Sequence, residues 1–357
     1  MHTHHDAIAL FSGGLDSILA VKTVEEQGLK VKCLHLVSSF FGKPGQVGHW
    51  RAALGVDVDV VDVSAEFVTM LLDPPHGYGS VVNPCVDCKI LMMRLAAAQR
   101  ERYGARFVVT GEVLGQRPMS QRRDTLNVIR RESGLGDALL RPLSAQHLPE
   151  SAAEREGLLD RSKLPDIVGR GRTRQLLLAA RYGITDIPTP AGGCRLTERE
   201  NARRYYMLLT HMPAPTAADF ALANVGRQFW ALLPGAPCWL SVGRNQADNA
   251  ALTAAARPDD LLFRLVDMPG PLGLARGGAG WPAEALREAA ALTASFAPRA
   301  LQAGSPVRVS AQTAGSEQRE ELCVTPCREG AFTLPGWEEV RAGLHEIKRA
   351  FAQRQAG

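Results

Sequence analysis

The sequence predicts an α/β protein built on a parallel sheet, followed by a smaller α+β domain. Three observations carry this. Short strand candidates alternate with helical stretches through the first half of the chain. A glycine turn stands directly between the first strand and the first helix. Beyond about residue 195 the rhythm breaks, and Gly and Pro become frequent between shorter strand candidates. A length of 357 residues suits two domains.

DAIALF (6–11) is a short apolar run, the first strand, and SGG follows at once. LDSILAVKTVEEQG (15–28) has helical spacing: Leu15, Ile18, Leu19 and Val21 fall near one face, and Gly28 ends it. LKVKCLHLV (29–37) and VDVDVVDV (56–63) alternate as strands. A helix is expected over 86–103, with Ile90, Leu91, Met93 and Leu95 on one side, then a strand in ARFVVTG (105–111). This order implies βαβ units and a parallel sheet. TERENARRYYMLLTHM (197–212) reads as a polar helix or connector. HMPAPTAADF (211–220) carries two prolines and reads as a boundary, so domains are expected at 1–212 and 213–357. In the second, CWLSVG (238–243), DLLFRLVD (260–267), SPVRVSAQT (305–313) and ELCVTPC (321–327) are strand candidates, and PAEALREAAALTASFA (282–297) is a helix. The residues after about 300 read as an extension.

Hydrophobic residues make up 45% and charged residues 22%, as in ordinary globular proteins. No apolar run approaches the ~20 residues of a membrane span. The start, MHTHHDAIALFSGG, lacks a cationic leader, so a cytoplasmic protein is expected. Cysteines stand at 33, 85, 88, 194, 238, 323 and 327. Their odd number and irregular spacing favour metal or catalytic roles over disulfides, with an inert buried thiol the ordinary fate of any one. Net charge is only +4. Its distribution says more: nine arginines against three acids lie between Arg94 and Arg131, and six basic residues against one acid between Arg161 and Arg181. The second run includes GRGRTR (169–174). Such clusters suit a polyanion such as RNA, and solvated helix faces with acidic neighbours explain each equally well.

FSGGLDS (11–17) lies between the first strand and helix. Gly13 and Gly14 let the backbone bend tightly and approach a ligand, and the helix start that follows favours phosphate. Ser12 and Ser17 offer hydroxyl hydrogen bonds. The G-x-x-x-x-G-K pattern is absent. Asp16 repels an anion unless a cation such as Mg2+ bridges them; a plain helix cap by Ser12 or Asp16 is the competing explanation. The string S-G-G-L-D-S resembles the pyrophosphatase loop of the PP-loop ATP-pyrophosphatases, which release pyrophosphate from ATP and place AMP on a carbonyl oxygen. The resemblance implies a Rossmann-like HUP domain (adenine-nucleotide alpha-hydrolase-like). It also implies that Ser12, Gly13, Gly14, Leu15, Asp16 and Ser17 hold ATP and Mg2+.

TGEVLGQRPMSQ (110–121) follows a strand, at the edge where open α/β sheets bind ligands. It resembles a stretch of the tRNA 4-thiouridine synthetases, as does LLRPL (139–143). This implies Thr110 and Gly111 at the nucleotide. Gln116, Arg117 and Gln121, with Arg170, Arg172 and Arg174 of the basic run, are expected to face tRNA.

NPCVDCK (83–89) holds a C-x-x-C, open to a disulfide, a metal clip, a redox couple or half of a catalytic site. It resembles the N-P-D-x-x-C of tRNA 2-thiouridylases, with Cys88 at the functional position and Cys85 replacing the aspartate. Cys194 in PTPAGGCRLT (188–197), with glycines beside it, is the counterpart of their second cysteine. Adenylation makes the uracil oxygen a leaving group, so sulfur must lie near the phosphate site, as a thiolate or bound sulfide. Two versions follow. In one, Cys88 and Cys194, with Asp16 at the nucleotide, are the catalytic set, the thiols acting as a persulfide and resolving pair. In the other, which the resemblance favours, Cys85, Cys88 and Cys194 hold a 4Fe–4S cluster with one open iron. Zinc with His49 or His76 as fourth ligand is also open.

ANVGRQFWALLPGAPCWLSVGRNQADNAALTAAARPDDLLFRLVDMPGP (223–271) resembles the RNA-binding module of the NFACT proteins. Arg264 stands at that module's usual histidine. The resemblance implies RNA contact by Arg244 and Asn245. Trp230, Trp239 and Phe263 either stack on bases or form core, with core preferred for the last two. Cys323 and Cys327 read as structural. The 4-thiouridine synthetases carry a large RNA-binding region ahead of their loop; here the loop begins at Ser12, and the C-terminal module is expected to take over that task. The expectation is ATP-dependent tRNA thiolation, with tRNA and a sulfur donor (a cysteine desulfurase or inorganic sulfide) as partners and no membrane. A non-tRNA acceptor, or an RNA-binding adaptor without turnover, are the alternatives.

Overall fold

The computed structural model describes residues 4–189, 193–234 and 236–356. The chain forms two compact units, Met1–Arg195 with Phe351–Gly357, and Leu196–Ala350.

The first unit runs β1 (Ala7–Leu10), α1 (Leu15–Glu25), β2 (Val31–Val37), α2 (Val47–Leu54), β3 (Asp57–Asp62), α3 (Ser64–Leu72), α4 (Cys85–Tyr103), β4 (Phe107–Thr110), α5 (Arg123–Glu132), β5 (Leu139–Leu140), α6 (Ala152–Arg155) and α7 (Thr173–Arg181). Its sheet has the order β3-β2-β1-β4-β5, and every pair is parallel. Ala7 pairs with Val31 on one side and Phe107 on the other. The chain winds outward from β1 through β2 to β3, then returns to β4. That reversal opens a crevice at the carboxyl ends of β1 and β4, the place where such sheets take ligands. β1 is an apolar run because both of its faces are covered. Fully buried Ile8 and Ile18 flank the glycine turn and contribute about 1.5–3 kcal/mol each. That outweighs the roughly 0.5–1 kcal/mol of glycine flexibility.

The expected single apolar face of α1 is too narrow. Leu15, Ile18, Leu19, Ala20, Val21, Thr23 and Val24 are all buried, because α7 packs against the helix that the sheet already covers. β3, at one edge, buries Val58 and leaves Asp57 and Asp62 exposed. β5, at the other, is two residues long.

The second unit contains α8 (Arg199–His211), α9 (Ala217–Ala223), β6 (Arg227–Leu233), β7 (Ala236–Val242), α10 (Gln246–Ala255), β8 (Leu261–Leu265), β9 (Gly273–Arg276), α11 (Ala283–Ser295), α12 (Pro298–Ala303), β10 (Val307–Thr313), β11 (Arg319–Val324) and most of α13 (Trp337–Ala356). Six strands form an antiparallel sheet in the order β11-β10-β8-β9-β7-β6. Buried Ala285, Ala289, Ala290 and Ala294 bring α11 close against it.

Three expectations change here. The units divide at Arg195 and Leu196, earlier than the prolines at 213 and 215 suggested. The reason is α8: Arg204 donates to the Ala223 carbonyl at 3.0 Å, and Tyr205 to Asn224 Oδ1 at 2.6 Å, which ties the helix to α9. The residues after about 300 are no extension, because β10 pairs with β8 inside the sheet. Trp230 joins Trp239 and Phe263 in the core: the two indoles stack at 5.1 Å, and none of the three is open to a base. Among the described residues no helix is long and apolar enough to cross a membrane.

Candidate nucleotide and thiol site

Gly13 has φ +71°, and a Cβ there would lie 2.1 Å from the Trp50 ring. Trp50 in turn packs edge-on against Phe11 and His35. Only glycine fits this turn. The Ser12 hydroxyl accepts from the Gly14 amide at 3.2 Å, and the Ser17 hydroxyl donates to the Gly14 carbonyl at 2.8 Å. Gly14 is the N-cap residue of α1, and no side chain caps the helix. The capping explanation for Ser12 and Asp16 therefore fails, and the first-turn amides stay available to an anion. Leu15 is buried, so it offers a ligand only its backbone.

Residues 110–121 lie directly against this helix start. A Cβ on Gly111 would come within 2.6 Å of the Asp16 and Ser17 backbone. The buried Thr110 hydroxyl donates to Glu112 at 3.3 Å, and Glu112 is paired with Arg141 of the LLRPL stretch at 2.8 Å. Gln116, expected at RNA, instead donates to Asp16 Oδ2 at 3.1 Å. Asp16 Oδ1 is buried without a hydrogen-bond partner. Burial pushes the Asp16 carboxyl above the usual range, against the opposing pull of Gln116 and of the charges on Arg172 and Arg117. Gln175 of α7, which sequence reasoning missed, is fully buried close enough to this carboxylate to pull its pKa down, although its amide makes no hydrogen bond of ordinary length. Only its place in a helix beside a basic run hinted at it. A cavity of about 640 Å³ opens against Gly13, with Lys43, His49, Trp50 and Tyr182 among its walls.

Cys85 and Cys88 stand in the first turn of α4. Asn83 Nδ2 donates to Cys85 Sγ at 3.1 Å and lies 3.7 Å from Met119 Sδ, which joins this turn to residues 110–121. The Cys88 thiol has Met92 Sδ at 4.0 Å. A helix N-terminus lowers a thiol pKa, but burial wins: it pushes the Cys88 thiol up to about 12, opposed by Lys89 and reinforced by Cys194, Cys85 and Asp87. Cys85, Asp87 and Lys89 neighbour Cys88 along α4, and Cys194 lies close enough to act on it electrostatically. Arg195 donates its amide to the Phe40 carbonyl at 2.9 Å, which holds the Cys194 segment beside the end of β2. Of the two glycines before Cys194, Gly193 has φ +60°, and Gly192 lies outside the described residues. No group of three His, Cys, Asp or Glu side chains is drawn to metal-ligand spacing among the described residues. His76 is held by Asp87 at 2.7 Å and faces Glu132, and His49 pairs with Asp186, so the zinc alternative finds no fourth ligand in them.

Most of the basic run is spoken for. Arg174 is bound to Asp166, Arg181 to Glu26 and Arg106 to Glu156. Gln121, expected at RNA, is buried with Oε1 unpaired. Arg172 donates to the Pro188 carbonyl at 3.4 Å. Arg117 and Arg170 are exposed and have no carboxylate partner among the described residues. In the second unit Arg244 is clamped by Asp248 at 2.7 Å, and Asn245 caps α10 through the Asp248 amide at 2.9 Å. Arg264 donates to Thr253 Oγ1 at 3.3 Å. Cys323 and Cys327 are exposed rather than structural core.

A parallel α/β sheet with an uncapped glycine loop and a carboxylate at its switch point defines an α/β domain of the HUP type. Residues 2–150 match the family model described as thiamine biosynthesis protein (ThiI), and this stretch is a PP-loop domain of the tRNA thiolation family. The match covers less than half of the chain. The tRNA-specific 2-thiouridylase MnmA of Oleidesulfovibrio alaskensis is 32% identical over 129 residues, 32% of this chain and 35% of that protein. The tRNA sulfurtransferase of Edwardsiella ictaluri is 32% identical over 155 residues, 40% of this chain and 30% of that protein. The chain thus spans about a third of the length of these curated relatives. The solved C-terminal part of the fibronectin/fibrinogen-binding protein from Streptococcus suis aligns with 57% of this chain and 88% of its own at 16% identity; its TM-score of 0.26 gives it no bearing on the fold.

Proposed function

We propose that this protein is an ATP-dependent tRNA sulfurtransferase. The observation that carries the reading is Asp16. A half-buried carboxylate beside an open helix start repels phosphate, yet one of its oxygens is fixed by Gln116 and the other has no partner. A hydrated Mg2+ between Asp16 and a triphosphate resolves both facts, since Mg2+ takes one or two carboxylates plus substrate phosphates. The first-turn amides of α1 and the Ser12 and Ser17 hydroxyls would hold the pyrophosphate portion of ATP. The uridine carbonyl oxygen then attacks the α-phosphate and pyrophosphate leaves.

Sulfur transfer follows from the thiols around Cys88. The terminal sulfur of a persulfide on Cys88 or Cys194 attacks the activated carbon, and AMP departs with the C–O electron pair. The other thiol then breaks the S–S bond, leaving a thiocarbonyl and a disulfide that an external thiol reduces. A cysteine desulfurase is the class of donor that supplies such a persulfide. At a pKa of about 12 the Cys88 thiol is protonated at neutral pH, so its activation needs a cation or base that arrives with the substrate. A second reading rests on Cys85 sharing the first turn of α4 with Cys88. The donor set Cys85, Cys88 and Cys194 suits a 4Fe–4S cluster, which when bound would supply an iron site for inorganic sulfide. Among the described residues the three thiols are not gathered to metal-ligand spacing.

RNA contact falls to Arg117, Arg170 and Arg172, and to a second unit of the NFACT type. Pyrophosphate release on adding ATP, Mg2+ and tRNA, with thiolated nucleosides by mass spectrometry, tests the reading. No release with any RNA sinks the enzyme and leaves the adaptor; release without tRNA points to another acceptor. Iron analysis of anaerobically purified protein decides between the two sulfur routes.

A further inference from the structure

The second unit holds an arginine cluster that the sequence did not flag. Arg227 opens β6, and its guanidinium lies 4.4 Å from the Phe296 ring centroid. Arg328 lies 4.8 Å from the same centroid. Neither has a carboxylate partner among the described residues; Arg227 donates to the Gly243 carbonyl at 3.1 Å and Arg328 to the Ser295 carbonyl at 3.2 Å. Both cations are thus held in place by neutral groups. Burial and the nearby charges of Arg244 and Arg328 push Arg227 below the usual arginine range, and Asp248, already clamped to Arg244, offsets little of this. The loop that carries Arg328 is anchored: the Cys327 amide donates to the Ala291 carbonyl, and Glu288 holds the Ala331 amide. Two cations without carboxylate partners among the described residues are therefore positioned together on one partly exposed ring.

We propose that Arg227 and Arg328, both held on Phe296, form a docking site for unpaired RNA. Phosphates neutralise the uncompensated charge, and a base stacks on a guanidinium plane, the surfaces by which proteins grip single strands. Fixed cations without acids favour a polyanion, and planar guanidiniums against a ring favour one that carries bases. This site deepens the RNA contact proposed for the second unit but does not depend on thiolation, which is read by pyrophosphate release.

The test titrates a twelve-nucleotide oligouridylate against the full-length protein by fluorescence anisotropy across a salt series. An Arg227→Gln/Arg328→Gln variant is expected to lose at least tenfold in affinity at low salt. Its log K against log salt plot should flatten by about 1.4, since each single-strand phosphate left without its arginine removes ~0.7 from the slope. The Arg227→Lys/Arg328→Lys pair should keep the slope and lose affinity, because lysine lacks the stacking plane. Affinity and slope unchanged in the folded glutamine variant would overturn the proposal. So would polyglutamate competing as well as the oligouridylate, which marks a general polyanion site. If the double variant does not fold, Arg328→Gln alone, at an exposed position, carries the same comparison with half the slope change.

Discussion

Gly111 offers the sharpest test of how the two halves of the nucleotide site are joined. In Gly111→Ala the new Cβ meets the Asp16 carbonyl carbon and oxygen and the Ser17 nitrogen, all at 2.6 Å. These are backbone atoms, so no side-chain rotation relieves the clash. The start of α1 must retreat by about 0.8 Å to reach ordinary contact, and overpacking of this kind costs about 1–3 kcal/mol. Gly14→Ala is the matched control. Its φ is −81°, and its Cβ would meet only Ser12 Oγ at 3.3 Å, so the fold should hold. Hydrogen exchange of peptides from β1 and β4 reads the difference locally, without treating the two-unit chain as one transition. Gly111→Ala is expected to lower protection there about 5–150-fold, the equivalent of 1–3 kcal/mol. It should also abolish the contact of Gln116 with Asp16, and with it pyrophosphate release. Unchanged exchange in both strands together with normal release would refute the close-approach argument.

Arg141→Met leaves Glu112 charged and unpaired in the core, and should destabilise the first unit by about 3–5 kcal/mol; Glu112→Leu/Arg141→Met should recover most of this in a chemical melt. His35 accepts from the Lys43 amide at 2.8 Å while its other nitrogen faces the Phe11 carbonyl, so it must be neutral, and burial holds its pKa below the usual value. Its contribution is therefore present above about pH 6.5 and is lost as pH falls through the lower folded-state value. Thermal melts between pH 7 and pH 5 should show a loss that His35→Gln reduces. Iodoacetamide at pH 8 should label exposed Cys323 and Cys327 first and buried Cys33 and Cys238 last, with half-buried Cys88, its thiol pKa pushed up, well behind the exposed pair; Cys88 reacting as fast as Cys323 would remove the protonated thiol.

The sheet of the first unit was legible because β1 and β4, buried on both faces, read as apolar runs, and β2 and β3 as alternating ones. β1, β2, β3 and β4 all fall within the predicted stretches. β5 was not, since two residues leave no periodicity to see. Nor was α7, whose Leu176 and Leu177 are exposed while polar Gln175 is buried, an inversion of the usual pattern. At the site, the glycines and Asp16 were visible as a motif, but the surroundings of Gln116 and Gln121 were not. A glutamine in a loop looks alike in sequence whether it faces RNA or a carboxylate from a distant part of the chain. The arginine count misled for a similar reason, because partners such as Glu26 for Arg181 come from far along the chain. The Arg227–Phe296–Arg328 cluster joins three segments, and no linear pattern announces it.

The two margins of the parallel sheet bear on how the protein behaves at high concentration. One side ends in the two-residue β5, and the other presents β3 with outward aspartates. Neither margin is a ready template for a strand from a neighbouring molecule, since one is too short and the other is covered by charged side chains, Lys32 with Asp57 and Asp59. Self-association through cross-β growth is disfavoured on both sides. Any clustering of the first unit in solution should instead be ionic, and should dissolve as salt is raised.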